Sequence, residues 1–302
     1  MFMNSKSVAL VMVTYNRLEL LKGALETIFQ QMTPVDGIFV INNHSTDGTE
    51  AYLETLTKEH SNLFVKNLTK NVGGAGGFNA GMKFAYQEHD YDFYWLMDDD
   101  TYPSETALTA LLKADQEIEN VGFLSSDVVW NDGTPVKMNV PVVSDVWNDK
   151  VQAGLVGLKS GSFVSMLISR AAFHKVGLPI KEFFIWGDDM EYSRRISKCF
   201  ASYFVSASVV THKTGANTGV DIMSETGNRI QRYYYDNRNQ FYMAKKQGFK
   251  QGLKFVINRI SLSFRILLSH SEKKLEKIGV IFKGIWAGIF FNPKIEYVDD
   301  EK

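Results

Sequence analysis

Cysteine is almost missing from this chain: Cys199 is the only one in 302 residues, which excludes an internal disulfide framework and a Cys-rich zinc site and fits a reducing compartment. Long apolar runs are missing too. No segment reaches the roughly 18 uninterrupted apolar residues of a membrane-spanning helix. The early run at 8–13 (Val-Ala-Leu-Val-Met-Val) follows a polar start at 1–7, lacks a cleavage-site pattern and reads as a core strand. Nor is there an excess of charge of one sign. A formal net charge of −1 gives no reason to expect a nucleic-acid partner. The expectation is a cytoplasmic protein, free or bound peripherally to a membrane face.

What is present is an ordinary globular composition, 45% hydrophobic and 13% aromatic, able to bury a core of one large or two smaller domains. Strand-like runs at 8–13, 37–41, 63–66 and 92–97 alternate with helix-like stretches at 18–31, 49–60 and 74–88. Alternation of this kind predicts an α/β fold with an open, mostly parallel sheet flanked by helices, in which ligands bind outside the carboxyl ends of the strands. From about Gly122 the pattern shortens and becomes irregular, and this half is expected to form the other wall of a cleft. Beyond Gly227 it turns helical. Between Lys245 and Lys294 stand eleven Lys or Arg against two Glu, interleaved with aromatic and aliphatic residues. Such helices suit an anionic membrane surface, or equally a hairpin packed on the domain with snorkelling lysines.

Three aspartates, Asp98, Asp99 and Asp100, follow the apolar run at 93–97, where a buried strand emerges. Packed like charges raise one another's pKa and call for a cation; oxygen-rich clusters suit Mg²⁺ or Mn²⁺, while the alternative is a solvated turn before Pro103. A second acidic cluster, Asp188 and Asp189 after Trp186-Gly187, opens a predicted helix. Those carboxylates either cap the helix or serve as a general base. His212, after a short strand, is a metal ligand or a structural histidine. The loop at 214–219 reads as mobile, and Arg229, Arg232 and Arg238 are available either to a diphosphate or to solvent.

The glycine-rich stretch 71–81 contains Gly74 and Gly76 where a dinucleotide fingerprint has its first two glycines, but Asn79 stands where the third belongs, and the stretch follows the third strand. A nicotinamide-type site is therefore disfavoured. The remaining readings are close approach of backbone to phosphate or sugar oxygens, or a loop that merely packs.

In this order the pieces resemble the inverting family 2 glycosyltransferases of the GT-A fold: Thr14-Tyr15-Asn16-Arg17, residues 42–48, residues 71–81, Asp98-Asp99-Asp100, residues 187–192, and His212. Within that family the glycine stretch coupled to the aspartate triplet is most similar to bacterial galactofuranosyltransferases, with rhamnosyltransferases as near relatives. The resemblance implies a catalytic domain over 1–228, its nucleotide-sugar half ending near 121, and a helical basic region over 229–302. It implies that Asp98, Asp100 and His212 hold Mn²⁺ or Mg²⁺ and that Asp189 is the catalytic base. Asp188, Trp186 and Phe163 would bind acceptor. Thr14, Tyr15, Arg17, Asn42, Asn71, Gly74, Asn79, Asp98 and Asp99 would bind the nucleotide-sugar. The implied reaction moves galactofuranose from UDP-galactofuranose to a lipid-linked or polysaccharide acceptor. The alternatives are transfer of rhamnose from dTDP-rhamnose and, in another class, non-catalytic sugar-nucleotide or glycan binding. Two departures stand out. Asn42 replaces the family's usual Asp, and Ser162-Phe163 follows Gly161 where galactofuran polymerases carry paired tryptophans, which implies a shorter or non-polymerising acceptor mode.

Overall fold

A computed structural model describes residues 6–298; residues 1–5 and 299–302, with most of the polar N-terminal start, lie outside the described residues. Strands Val8–Thr14 (β1), Gly37–Asn42 (β2), Leu63–Asn67 (β3) and Phe93–Asp98 (β4) form the parallel part of the sheet, ordered β3-β2-β1-β4. Their runs are apolar without alternation because helices cover both faces. Along β1, Val8, Leu10 and Met12 enter one core while Ala9 and Val11 enter the other. Helix Leu18–Phe29 (α1) follows β1 and buries Leu21, Ala24, Leu25 and Ile28, an apolar stripe at helical spacing. Helices Thr49–Leu56 (α2) and Gly73–Glu88 (α3) follow β2 and β3.

The second half of this domain continues the same sheet. Strands Thr101–Pro103 (β5), Val121–Trp130 (β6), Val142–Val143 (β7), Leu155–Ser160 (β8), Ser165–Ser169 (β9) and Ala201–His212 (β10) extend it in the order β4-β9-β6-β10-β8-β7, with β5 on β10. Strand β9 lies antiparallel between β4 and β6, and the buried Trp95 indole donates to Ser165 Oγ at 2.9 Å. Helices Ala107–Asp115 (α4), Arg170–Val176 (α5) and Asp188–Ser197 (α6) complete this part.

Register sets what meets at the carboxyl ends. Val13 of β1 pairs with Asp98, Thr14 pairs with Asn42, and Asn42 with Asn67, so three of the expected site positions share one rim. The short antiparallel β5 is the decisive piece, because its pairing sets His212 opposite Thr101 and hence beside the aspartates.

Helices Arg232–Lys246 (α7), Phe249–Leu268 (α8) and Lys274–Phe290 (α9) end the described chain. They do not stand apart: α7 packs on α9, and Phe183 of the sheet domain meets Tyr242 of α7 edge to face at 5.7 Å. Helix α8 buries Gly252, Ser263 and Ile266, but Phe249, Leu253, Ile257, Ile260, Phe264 and Leu267 form a second apolar stripe that faces solvent. Leu275, Phe282, Trp286, Ile289 and Phe290 do the same on α9. Among the described residues no helix is long and apolar enough to cross a membrane.

Most of the glycine stretch packs. A Cβ on Gly77 would lie 2.5 Å from Val13 Cγ1, one on Gly81 2.4 Å from Val11 Cγ1, and one on Gly76 2.7 Å from Val72 Cγ2, whereas one on Gly74 would meet nothing within 4 Å. In a helix Ala is favoured over Gly by about 1 kcal/mol, while overpacking a close-packed, β-branched contact costs about 1–3 kcal/mol. Urea denaturation of the variants therefore separates them: Gly81→Ala lowers the unfolding midpoint and Gly74→Ala leaves it level or raises it.

Candidate active site

Asp98 at the end of β4, Asp100 in the turn after it, and His212 at the end of β10 come together: one ligand atom from each lies within 4.8 Å of the others. His212 Nε2 is 3.2 Å from Asp100 Oδ1. Asp99, Asp100 and His212 are each only 4% exposed, so these charges are held out of water. Burial, with the neighbouring charges of Asp100 and Asp99, pushes the Asp98 carboxyl up to about 7. Burial also lifts Asp99 to about 6, against the opposing pull of Arg17. For Asp100 burial acts upward as well, but the hydrogen bond and charge of His212, with Arg17, hold it below the usual carboxylate range. Burial alone would lower the His212 imidazole; its hydrogen bond to Asp100 and the charges of Asp100 and Asp98 hold it above the usual value.

The donor set fits a hard or borderline divalent cation: two carboxylates and one imidazole. A buried polar atom there also lacks a partner, His212 Nδ1. In their place a cation from the chain approaches. Arg17 Nη1 lies 2.6 Å from Asp100 Oδ2 and 3.3 Å from Asp99 Oδ1, so this expected nucleotide contact is engaged with the triplet. Partial burial, then the charges of Arg229 and Arg17, lower the Arg232 guanidinium, which sets a second cation in electrostatic reach of Arg17.

The second acidic pair opens α6 behind a strained approach. Phe184 (φ 65), Trp186 (φ 64) and Gly187 (φ 86) all have left-handed backbone. Asp189 Oδ1 accepts from Met190 N–H at 2.6 Å. Burial raises Asp189 to about 6 against backbone hydrogen bonds and Arg194. Asp188 is pushed well above the carboxylate range by burial, by Asp189 and by the charge of Asp98. That last influence puts the two acidic clusters in electrostatic reach of each other.

The remaining expected residues divide. Thr14 and Asn42 are buried at the rim, Tyr15 is exposed, and Gly74 is open on its Cβ side. Asn42 accepts from Ser45 N–H at 3.0 Å and donates to Asn67 at 2.8 Å, while Asn71 Oδ1 accepts from Gly73 N–H at 2.8 Å. Two expectations need correction. Asn79 is buried and donates to the Pro179 carbonyl at 2.8 Å, because the first turns of α3 are buried on almost every side; it ties two segments together and does not line the cleft. Phe163 is 4% exposed, 4.8 Å from Phe78 and 5.9 Å from Tyr192, so it is a core side chain and not an acceptor platform. Trp186 is half-buried, edge-on to Tyr233 at 5.0 Å. Arg238 does not reach for a diphosphate. Its guanidinium donates to the carbonyls of Glu182 and Phe183 and lies 4.0 Å from the Phe291 ring centre. The loop after His212 is tied down, with the Thr214 carbonyl accepting from Trp130 Nε1 and Asn217 Oδ1 from Lys137 N–H.

Asn43 was not among the expected residues. Buried at the end of β2, it donates to Asn71 Oδ1 and the Gly73 carbonyl, both at 3.1 Å, and accepts from Val72 N–H at 2.9 Å, which fixes the entry to the glycine stretch. Its only signal in the sequence is an amide directly after a strand.

A half-parallel open sheet with helices on both faces and acidic clusters at its carboxyl rim defines a GT-A-type glycosyltransferase. Residues 9–176 match the family described as Glycosyl transferase family 2, and the chain belongs to that family. It is 26% identical over 261 residues to the galactofuranosyltransferase GlfT1 of Mycolicibacterium smegmatis, covering 82% of this chain and 83% of the relative. To GlfT1 of Mycobacterium tuberculosis it is 25% identical over 255 residues, covering 81% and 82%. In fold it is similar to S. aureus TarS 1-349 in complex with UDP-GlcNAc (TM-score 0.60, 16% identity, 93% of this chain and 81% of that one). It is similar also to GalNAc-T7 with UDP, GalNAc and Mn²⁺ (TM-score 0.57, 14% identity, 82% of this chain), of which it spans 52%.

A cation bound at 100 times its dissociation constant stabilises the folded state by about 2.7 kcal/mol. Saturating Mn²⁺ should therefore raise the melting temperature of the wild type by several degrees, and Asp98→Ala should abolish that rise when both are followed by differential scanning fluorimetry.

Proposed function

We propose that this glycosyltransferase transfers galactofuranose, with inversion, from UDP-galactofuranose to a lipid-linked or polysaccharide acceptor at the inner face of the cell membrane. The observation that carries the proposal is the convergence of Asp98, Asp100 and His212 opposite Asp188 and Asp189, joined to similarity with GlfT1 over most of the chain. Asp98, Asp100 and His212 would hold Mn²⁺ or Mg²⁺, which supplies charge neutralisation to the departing diphosphate. Arg17 and Arg232 add cationic charge at the same mouth. Asp189 removes the proton from the acceptor hydroxyl as its oxygen bonds to the anomeric carbon and the bond from that carbon to the phosphate oxygen breaks. Asp188 accepts hydrogen bonds from the acceptor, and Gly74 leaves room for the donor to approach the α3 entrance.

A raised Asp189 suits this role, since a base works best with a pKa near the operating pH. Asp189 acts only when deprotonated, so kcat should fall as pH drops through about 6 and level off above it. Asp189→Asn should lose about 10²–10⁴-fold in kcat yet bind UDP with wild-type affinity by calorimetry. The donor is tested with the purified protein, Mn²⁺ and either UDP-galactofuranose or dTDP-rhamnose; turnover with dTDP-rhamnose alone overturns the galactofuranose assignment. The rhamnose reading keeps its place because Asn42 can accept the N3–H of either uracil or thymine.

The outward stripes of α8 and α9 support a membrane location. Lys250, Lys254, Arg265, Lys273 and Lys283 are exposed on or beside the same helices, and no carboxylate occurs between Asp236 and Glu272 or between Glu276 and Glu296. Pairing this face with a second copy would oppose like charges, whereas anionic lipid neutralises them at about 1 kcal/mol per basic residue. Co-sedimentation should show binding to phosphatidylglycerol vesicles, weakened by salt and by Trp286→Glu with Phe290→Glu. Equal binding to neutral and anionic vesicles removes the claim.

A further inference from the structure

Phe183, Phe184, Ile185 and Trp186 form the bridge into the acidic pair of α6, and their backbone is held in a conformation that side chains disfavour. Phe184 has φ 65 and ψ −62, and Ile185 N–H donates to the Phe183 carbonyl at 2.7 Å, a γ-turn of the rare, strained hand. Trp186 and Gly187 follow with positive φ. Strain of this kind persists only where the surroundings over-determine it, and it concentrates at functional sites. The surroundings are on α7. Asn239, fully buried, points its amide nitrogen at the carbonyls of Phe183 (3.0 Å), Ile185 (3.2 Å) and Trp186 (2.8 Å). Its amide oxygen accepts from Arg238 Nε at 3.0 Å, and the same guanidinium donates to the carbonyls of Glu182 and Phe183. On the opposite side the Phe184 carbonyl accepts from Ala75 N–H at 3.2 Å, and a Cβ on Gly73 would lie 2.0 Å from it.

We infer that Asn239 is a positioning residue for catalysis: by gathering the Phe183, Ile185 and Trp186 carbonyls onto one amide, it holds the strained turn that aims Asp189 at the acceptor. This rests on the reading of Asp189 as the base. The geometry supports aim over mere packing. The two hydrogens of this amide are shared among three carbonyls around a turn whose own dihedrals are unfavourable. The turn ends directly in the Gly187 cap of α6, so a rotation at Ile185 or Trp186 is carried straight into the direction of Asp188 and Asp189. The glycine stretch, seated against Phe184 from the other side, shares the support, which links the donor wall to the base. Small misplacements of a base cost large factors in rate.

The test is steady-state kinetics of the full-length chain in its transfer assay, with Asp189→Asn as the control. Asn239→Ala should fold, with the wild-type circular dichroism spectrum, bind UDP with Mn²⁺ within threefold of wild-type affinity, keep its donor KM within threefold, and lose kcat at least tenfold. Arg238→Gln, which removes the contacts to Glu182 and Phe183 and the Nε–H bond to Asn239 Oδ1 but leaves the Asn239 amide nitrogen in place, should show the same kcat-only pattern at smaller size, and it decides the matter if Asn239→Ala fails to fold. A folded Asn239→Ala with kcat within twofold of wild type overturns the inference, as does a loss of UDP affinity that accounts for the whole fall in activity. An active Asp189→Asn would instead overturn the assignment of the base.

Discussion

Asp98, Asp99, Asp100 and Asp188, buried and within one another's electrostatic influence, cannot all keep their charge without cations, and the rest of the site is arranged around that constraint. Asp98, Asp99 and Asp100 lie beside one another at the end of β4, with Asp188 and Asp189 in electrostatic reach. Arg17 and His212 answer part of the charge, and the burial that makes the carboxylates unstable as anions leaves a donor set that fits a divalent cation. Burial, against its backbone hydrogen bonds and Arg194, tunes Asp189. Its carboxyl is kept from ionising too readily, as the role of base proposed for it near neutral pH requires.

Legibility in the sequence followed the locality of the cause. The first four parallel strands were readable because each is a short, mainly apolar run followed by turn residues, and the rim they share follows from such a sheet. Strand β9 was not, and β10 was read only as a short strand before His212. Ser165–Ser169 is bracketed by serines, and Ala201–His212 carries polar residues in its interior, so neither shows the pattern of a central strand. The aspartates and His212 could be named from composition and resemblance, but their meeting depends on the pairing of β5 with β10, which no local pattern encodes.

Misreadings had a similar source. Asn79 and Phe163 look available in one dimension, one within a glycine stretch and one after a glycine, yet each turns inward once the helix or loop is packed. Asn43 and Asn239 are the reverse case. An amide acquires its role from the carbonyls it meets, and those carbonyls belong to segments elsewhere in the chain. The C-terminal helices show why a compositional boundary is a poor guide: α7 holds the approach to α6, while α8 and α9 keep apolar stripes turned outward.

The β5–β10 pairing has a temporal consequence as well. Aspartates and histidine are separated by more than a third of the chain, and β9 must be inserted before the sheet reaches β6 and β10. Contacts of such high sequence separation form late, after the loop-closure entropy has been met. A ribosome-bound chain that has emerged only as far as α6 has its nucleotide rim and both acidic clusters but lacks the histidine. The three side chains that could hold a cation therefore meet only when synthesis has passed β10, so the acidic clusters spend most of the chain's making without the histidine that faces them.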